Sequence, residues 1–136
     1  QPVLMGNLLM SLKPIILLKI IFTYTLMIFG LNDSTSVTAT VYNAVVEQCN
    51  SDPGHTASMF ELDLDNPYSH KIIAVSRDLL TKYPFGSLVI IRGTAYDGIY
   101  QVQDLLNKRY KNRIDILINQ NMSIGKWADV KIYKIE

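Results

Sequence analysis

Short segments rich in β-branched residues, separated by turn signals, constrain this chain of 136 residues more than any other feature. The clearest is VTATVYN at 37–43, where apolar and hydroxyl side chains alternate with the period of a half-buried strand. Further strands are predicted at 71–75, 87–92, 99–102, 113–118 and 129–135, with a short helix at 77–83. Strands at this spacing predict an all-β fold, either a small barrel or a sandwich.

The first thirty residues differ in composition from the rest. An almost continuous apolar run, PIILLKIIFTYTLMIFG, spans residues 14–30 and follows Lys13. A basic residue before a short apolar run is typical of a secretory signal or an N-terminal membrane anchor, and a buried core helix is the alternative. We therefore predict a signal peptide or anchor at 1–30, a linker at 31–36 and one domain at 37–136. Such a protein would be secreted or held in the cell envelope.

Charge and ligand counts disfavour several classes of function. Residues 1–30 contain Lys13 and Lys19, which leaves 11 of the 13 basic residues beside all 12 acidic ones. A domain so close to neutral has no general affinity for nucleic acid. Cys49 is the only cysteine and the chain has two histidines, which excludes an internal disulfide and disfavours a cysteine- or histidine-rich metal centre. We expect no metal and no cofactor.

Two aspartates are the candidate chemical groups. Asp115 lies between Ile114 and Ile116 in a β-branched segment, where burial would raise the pKa of its carboxyl and suit it to general acid catalysis. Simple alternation, with Asp115 facing solvent, is the alternative. Asp104 follows the segment IYQV, where a carboxylate that caps a loop is common. If the two carboxyls were close, their pKa values would be pushed apart.

The residues between the two aspartates are strongly basic. Four of the seven residues in NKRYKNR, at 107–113, are cationic. The run predicts either a solvated loop or the polar wall of a glycan-binding groove. In the second interpretation Asn107 and Asn112 donate to sugar hydroxyls and Tyr110 stacks on a sugar ring. The polar stretch at 47–70 is long for a loop in a compact domain, and loops of this length are often functional or partly disordered.

The order of several pieces resembles the 3D domain, a family named for three aspartates. The matching pieces are VTATVYNA at 37–44, DPGHTAS at 52–58, IIAVSRDLL at 72–80, YPFG at 83–86 and QDLLNKRYKNRIDIL at 103–117. The step of eleven residues from Asp104 to Asp115 matches the family's spacing between its second and third aspartates. Two features depart from the family pattern: Ser76 stands where the first aspartate is usual, with Asp78 the nearest acid, and Leu105-Leu106 replaces part of a Thr-Gly-Gly run.

This resemblance implies a six-stranded double-psi β-barrel with one or two short helices, as in lytic murein transglycosylases and RlpA-like proteins. It implies cleavage of the MurNAc–GlcNAc bond of peptidoglycan to a 1,6-anhydro sugar. Asp115 would be the general acid and then the base, and Asp104 would stabilise the charge that develops on the sugar ring. The candidate substrate-binding residues are Thr40, Tyr42, Thr56, Asp78, Asn107, Lys108 and Asn112.

Three functions follow as hypotheses. The first is a lytic transglycosylase acting as a monomer on peptidoglycan glycan strands. The second is a non-catalytic module that binds the same glycan on the same barrel. The third, which depends on the 44–70 loop, is a small secreted protein that binds other proteins. Loss of the glycines after Asp104 favours the second hypothesis, because glycine lets a ligand approach the backbone closely.

Overall fold

The computed structural model describes residues 13–28, 33–48 and 52–136. It divides into two compact units, Gln1–Asp33 and Ser34–Glu136. In the first unit, the apolar run forms a 15-residue helix, α1 (Pro14–Ile28). None of the helices in the described ranges is long and apolar enough to span a membrane. The proposed roles of 1–30 as signal or anchor stay predictions. Cys49 lies outside the described residues.

The second unit is a closed β-barrel. Its described residues form six strands, β1 (Ser34–Tyr42), β2 (Ile72–Val75), β3 (Leu88–Arg92), β4 (Gly98–Leu105), β5 (Arg113–Leu117) and β6 (Lys126–Ile135). Around the barrel the strands follow the order β1-β5-β2-β4-β3-β6. The β1/β5 and β2/β4 pairs are parallel, whereas the other neighbouring pairs are antiparallel.

The core fills the barrel with the inward-facing residues of every strand. Alternation places Val37 and Ala39 of β1 inward, and Ile114 and Ile116 of β5 do the same. A smaller apolar cluster lies on the outer face, where Leu62 of the long loop packs on the buried side chains of β2 and β5. The part of the long loop around Leu62 therefore packs on the barrel.

The first strand begins earlier than predicted. Ser34, Thr35 and Ser36, assigned to the linker at 31–36, pair in β1 with Tyr133, Ile132 and Lys131 of β6. The hydroxyls of Thr35 and Tyr83 are hydrogen-bonded at 2.5 Å. The short polar side chains of these residues suggested a linker. Local composition cannot predict this pairing, because the partners lie almost a hundred residues away in the sequence.

The helix predicted at 77–83 is shorter than expected and is of the 3₁₀ type. A 3₁₀ helix covers only Arg77–Leu79, and the Ser76 side chain does not cap it. The Ser76 hydroxyl instead accepts the backbone N–H of Arg113 at 3.0 Å, so it ties the end of β2 to the start of β5. A second 3₁₀ helix, Pro67–His70, lies within the stretch that was predicted as loop. The last strand begins at Lys126, three residues before the predicted start at 129.

Candidate functional site

Four residues from four neighbouring strands form a row on the outer face of the barrel. Thr40 of β1 pairs with Asp115 of β5, Asp115 pairs with Ala74 of β2, and Ala74 pairs with Asp104 of β4. We call these residues the aspartate row. Neighbouring strands are about 4.8 Å apart, so the Cα atoms of the two aspartates are separated by about 10 Å, with a methyl group between them.

A β-bulge in β4 places Asp104 in this row. Val102 faces the core, so uninterrupted alternation would turn Asp104 inward as well. The pairing of β4 with β2 shifts between Ile73 and Ala74, which leaves Gln103 as an extra residue. Asp104 therefore faces outward, and Leu105 packs against the core. The strand predicted at 99–102 is longer in the structure, because β4 continues through Asp104 to Leu105.

The carboxylate of Asp104 attaches the long loop to the barrel. Its Oδ1 accepts the backbone N–H groups of Ala57 and Leu105, each at 2.9 Å. Its Oδ2 accepts the hydroxyl of Tyr42 at 2.8 Å. Beside it, the Gln103 carbonyl accepts the backbone N–H of Ser58 at 3.2 Å. Both Asp104 oxygens are therefore engaged in structural contacts.

Asp115 is in a different environment. Its side chain is 18% exposed, and Oδ1 accepts the hydroxyl of Thr40. Burial raises the pKa of the Asp115 carboxyl above its ordinary value. The nearby Arg113 opposes this shift, and the charge of Asp104 adds to it. Alternation turns Asp115 away from the core, but its side chain is largely buried on the outer surface, so it is not the solvated residue that simple alternation predicts.

Arg113 is the charged partner of Asp115. Alternation puts both side chains on the same face of β5, and Nε of Arg113 lies 3.5 Å from Oδ1 of Asp115. The same Nε donates to the Thr40 hydroxyl at 3.0 Å. The guanidinium Cζ lies 4.1 Å from the centroid of the Tyr110 ring. In the sequence, Arg113 stands out only as the last residue of the basic run; the signal for its role is the two-residue spacing from Asp115.

The structure places the predicted substrate-binding residues in several different environments. Thr40 and Tyr42 contact the two aspartates directly, as described above. Thr56 does not face open space: it is buried, and its hydroxyl accepts the backbone N–H of Phe60 at 3.2 Å within the long loop. Asn107 and Lys108 are exposed in the turn that follows β4. The Asn107 side chain accepts the backbone N–H of Arg109 at 3.1 Å.

Asp78 and Asn112 meet at a corner of the barrel instead of joining the aspartate row. The Asp78 carboxylate accepts the backbone N–H of Asn112 at 2.9 Å, and the Asn112 amide donates to the Ser36 carbonyl at 2.9 Å. Hydrogen bonding by Ser76 lowers the pKa of the Asp78 carboxyl. These contacts support the start of β5 and place Asp78 outside the aspartate row.

Two further features lie outside the row. An open polar depression beyond the ends of β1 and β5 is lined by residues that include Asn43, Asn119 and Asn121, but neither aspartate of the row. Among the described residues, no group of three or more His, Cys, Asp or Glu side chains could hold a metal ion.

Comparison with known proteins supplies the fold type. No protein-family model and no curated protein sequence matches the chain. The apo expansin of Clavibacter michiganensis is 14% identical, with a TM-score of 0.51 over 76% of this chain and 51% of that chain. The expansin neighbours are double-psi barrels. This chain has the double-psi β-barrel fold. That part of the resemblance is confirmed; membership of the 3D family stays a prediction.

Two other solved structures are similar to this chain. The Streptomyces papain inhibitor is 13% identical, with a TM-score of 0.51 over 79% of this chain and 99% of that chain. A mutant Clavibacter michiganensis expansin in complex with cellohexaose is 13% identical, with a TM-score of 0.47 over 76% of this chain and 51% of that chain. The chain thus matches about half the length of the expansins and nearly all of the inhibitor.

The two aspartates with shifted pKa values predict opposite effects of pH on stability. Asp115 binds a proton more tightly when folded, so its contribution to stability should decline as pH rises from about 3.8 through its folded pKa. Asp78 has the opposite effect: its contribution to stability is present above about pH 3.8 and is lost as the pH falls through its lowered pKa. Urea unfolding of Asp115→Asn and Asp78→Asn between pH 2.5 and 7, values chosen to bracket the ordinary pKa by about a unit or more, measures both effects. Parallel curves for wild type and Asp115→Asn would contradict the first assignment.

Proposed function

We propose that the aspartate row binds a cell-wall polysaccharide strand on the outer face of the double-psi barrel. The observation that carries the proposal is Asp115: a partly exposed carboxyl with a raised pKa, placed between the Thr40 hydroxyl and the Arg113 guanidinium. Hydroxyl, carboxyl and guanidinium groups at one place supply the donors and acceptors that sugar hydroxyls require. Tyr110, against Arg113, adds an aromatic ring of the kind on which a sugar can stack.

A lytic transglycosylase activity on peptidoglycan is the finer proposal for the same site. Hydrolysis of a glycosidic bond usually needs two working carboxyls. Here both oxygens of Asp104 are engaged by Tyr42, Ala57 and Leu105, which leaves Asp115 as the carboxyl suited to proton transfer. Lytic cleavage can proceed with one. Asp115 would protonate the departing oxygen as the C1–O bond breaks, and its carboxylate would then take the proton of the 6-hydroxyl that attacks C1.

The alternative on the same barrel is a module that binds glycan without cleaving it, and the fold comparison suits this alternative better. The expansin that shares the barrel type is known in complex with cellohexaose, which is a property of that protein. In this chain, Leu105 and Leu106 replace part of the Thr-Gly-Gly run of the family that it resembles. Both proposals place the glycan over the same residues, and they differ only in whether the bond at Asp115 is broken.

Hydrogen–deuterium exchange of the full chain, with and without soluble peptidoglycan fragments, tests the location. Added glycan is expected to slow exchange in β5 around Asp115 and in the turn that carries Tyr110. The β3–β4 turn around Asp97 is the internal reference and should exchange at the same rate in both samples. Protection confined to the polar depression near Asn119, or no protection, would contradict binding at the aspartate row.

A further inference from the structure

The guanidinium of Arg113 is held in place by only part of its hydrogen-bonding capacity. Nε donates to Thr40, and the face of the group packs on Tyr110. No hydrogen bond joins either terminal nitrogen, Nη1 or Nη2, to another residue in the described part of the chain. The Arg113 side chain is nevertheless 22% exposed, so most of it is already withdrawn from water. A guanidinium that is fixed in position and keeps free terminal donors is suited to bind a planar anion.

The charges around Arg113 also favour an anion on its outer side. Arg109 lies against the same Tyr110 ring, with its Cζ 4.8 Å from the centroid, and Lys108 and Lys111 are exposed in the same turn. The opposing charges come from Asp115 on β5 and Asp104 on β4. Because Asp104 is engaged by Tyr42 and two backbone N–H groups, it leaves Asp115 as the acid that shares Arg113 with an incoming anion.

We propose that Arg113 binds the carboxylate of an acidic sugar and so selects carboxylated glycan over neutral glycan at the aspartate row. This inference depends on the proposed function for the place of the glycan, but it concerns which glycan is bound. The two terminal nitrogens of Arg113 donate in parallel to the two carboxylate oxygens. The sugar that carries this carboxylate then lies beside Asp115, within reach of its carboxyl.

Binding of the anion also changes Asp115. A carboxylate next to Arg113 takes a share of the positive charge that otherwise favours ionised Asp115, and it adds a negative charge nearby. Both effects favour proton uptake by Asp115 from solvent. The other titratable groups around the pair, Asp104, Tyr42, Tyr110 and Arg109, keep their contacts. The acidic ligand therefore prepares the protonated carboxyl that general acid catalysis needs, and binding becomes tighter as pH falls toward the range where Asp115 titrates.

Isothermal titration of the full chain with two matched hexasaccharides tests the inference. One is cellohexaose, and the other is its C6-carboxyl counterpart, a β-1,4-linked glucuronate hexamer. The wild-type chain should bind the acidic hexamer roughly tenfold more tightly, as expected for charge-assisted hydrogen bonds. Titration in buffers of different ionisation enthalpy should show net proton uptake for the acidic hexamer alone.

Three variants distinguish the effect of the two parallel donors of Arg113 from a general effect of positive charge. Arg113→Lys keeps the charge but loses the parallel donors, and it should lose most of the preference. Arg113→Gln should abolish both the preference and the proton uptake. Arg92→Gln, which removes a guanidinium from β3, a strand that contributes nothing to the aspartate row, should keep both. Circular dichroism establishes that each variant is folded. The comparison of the two hexamers on the wild-type chain does not depend on any variant.

Equal wild-type affinities for the two hexamers, or a preference that survives in Arg113→Gln, would overturn the inference and leave the proposed function in place. The same holds if sacculi bind but the acidic hexamer does not. Failure of the chain to bind sacculi and both hexamers would instead contradict the proposed function itself.

Discussion

Asp115→Asn is expected to lower the release of 1,6-anhydro-muropeptides from purified sacculi by roughly 10²–10⁴-fold, the usual contribution of a general acid. Asparagine is nearly isosteric with aspartate and can still accept the hydroxyl of Thr40, but it cannot donate a proton to the departing sugar oxygen. Binding to sacculi should therefore persist. The measurement is mass spectrometry of the soluble products beside a co-sedimentation assay on the same preparation.

Asp97→Asn is the matched control for this experiment. Asp97 is an exposed aspartate in the β3–β4 turn, where it accepts the backbone N–H groups of Gly93 and Thr94. Asp97→Asn removes the same charge as Asp115→Asn but away from the aspartate row. This variant should therefore release product at the wild-type rate. Equal activity in Asp115→Asn would exclude Asp115 as the acid. Binding without product from the wild-type chain would support the non-catalytic module.

Asp104→Ala is expected to lower the free energy of unfolding by about 3 kcal/mol, because hydrogen bonds to a charged group are each worth about 1.5–3 kcal/mol and are not additive. The substitution leaves the Tyr42 hydroxyl and the Ala57 N–H without their acceptor. Urea unfolding measures the loss. Hydrogen exchange should show faster exchange at Ala57 and Ser58, since the long loop loses its attachment to β4.

A graded series tests whether the loss arises from these contacts. Tyr42→Phe removes one donor and should cost about 1 kcal/mol. Asp104→Asn keeps one acceptor oxygen and should fall between Tyr42→Phe and Asp104→Ala. Asp97→Ala removes an exposed carboxylate whose hydrogen bonds lie within its own turn, and it should leave exchange at Ala57 unchanged. A stability of Asp104→Ala equal to that of the wild type would mean that the long loop is held by Leu62 and its apolar neighbours alone.

Much of the barrel could be predicted from the sequence because its strands are amphipathic and short. Alternation in VTATVYN located β1, and isolated apolar runs located β2, β3 and β5. The resemblance then supplied the double-psi topology, which no local pattern contains. The predicted strand boundaries were wrong where pairing between distant residues sets them. Ser34 belongs to β1 because it pairs with Tyr133 of β6. The helix predicted after Ser76 is shorter than expected, and the serine hydroxyl accepts a distant backbone N–H instead of capping it.

The candidate site was predictable in part, and its chemical roles stay predictions. Asp115 could be singled out because a carboxylate between two isoleucines is unusual, and the structure does place it beside Thr40. The structural task of Asp104 could not be foreseen, since it depends on a bulge that the letters QVQDLL do not reveal. Tyr42 and Asp104 are 62 residues apart, and only the closed barrel brings them together.

The extra residue in β4 gives the long loop a second attachment beside that of Asp104. Deletion of Gln103 would convert the bulge into a regular ladder, in which Asp104 directly follows Val102 and still pairs with Ala74. The chain would then keep the aspartate row but lose the carbonyl and side-chain amide of Gln103, which bind Ser58. The bulge thus doubles the contacts between β4 and the long loop, because Gln103 and Asp104 bind neighbouring residues of it.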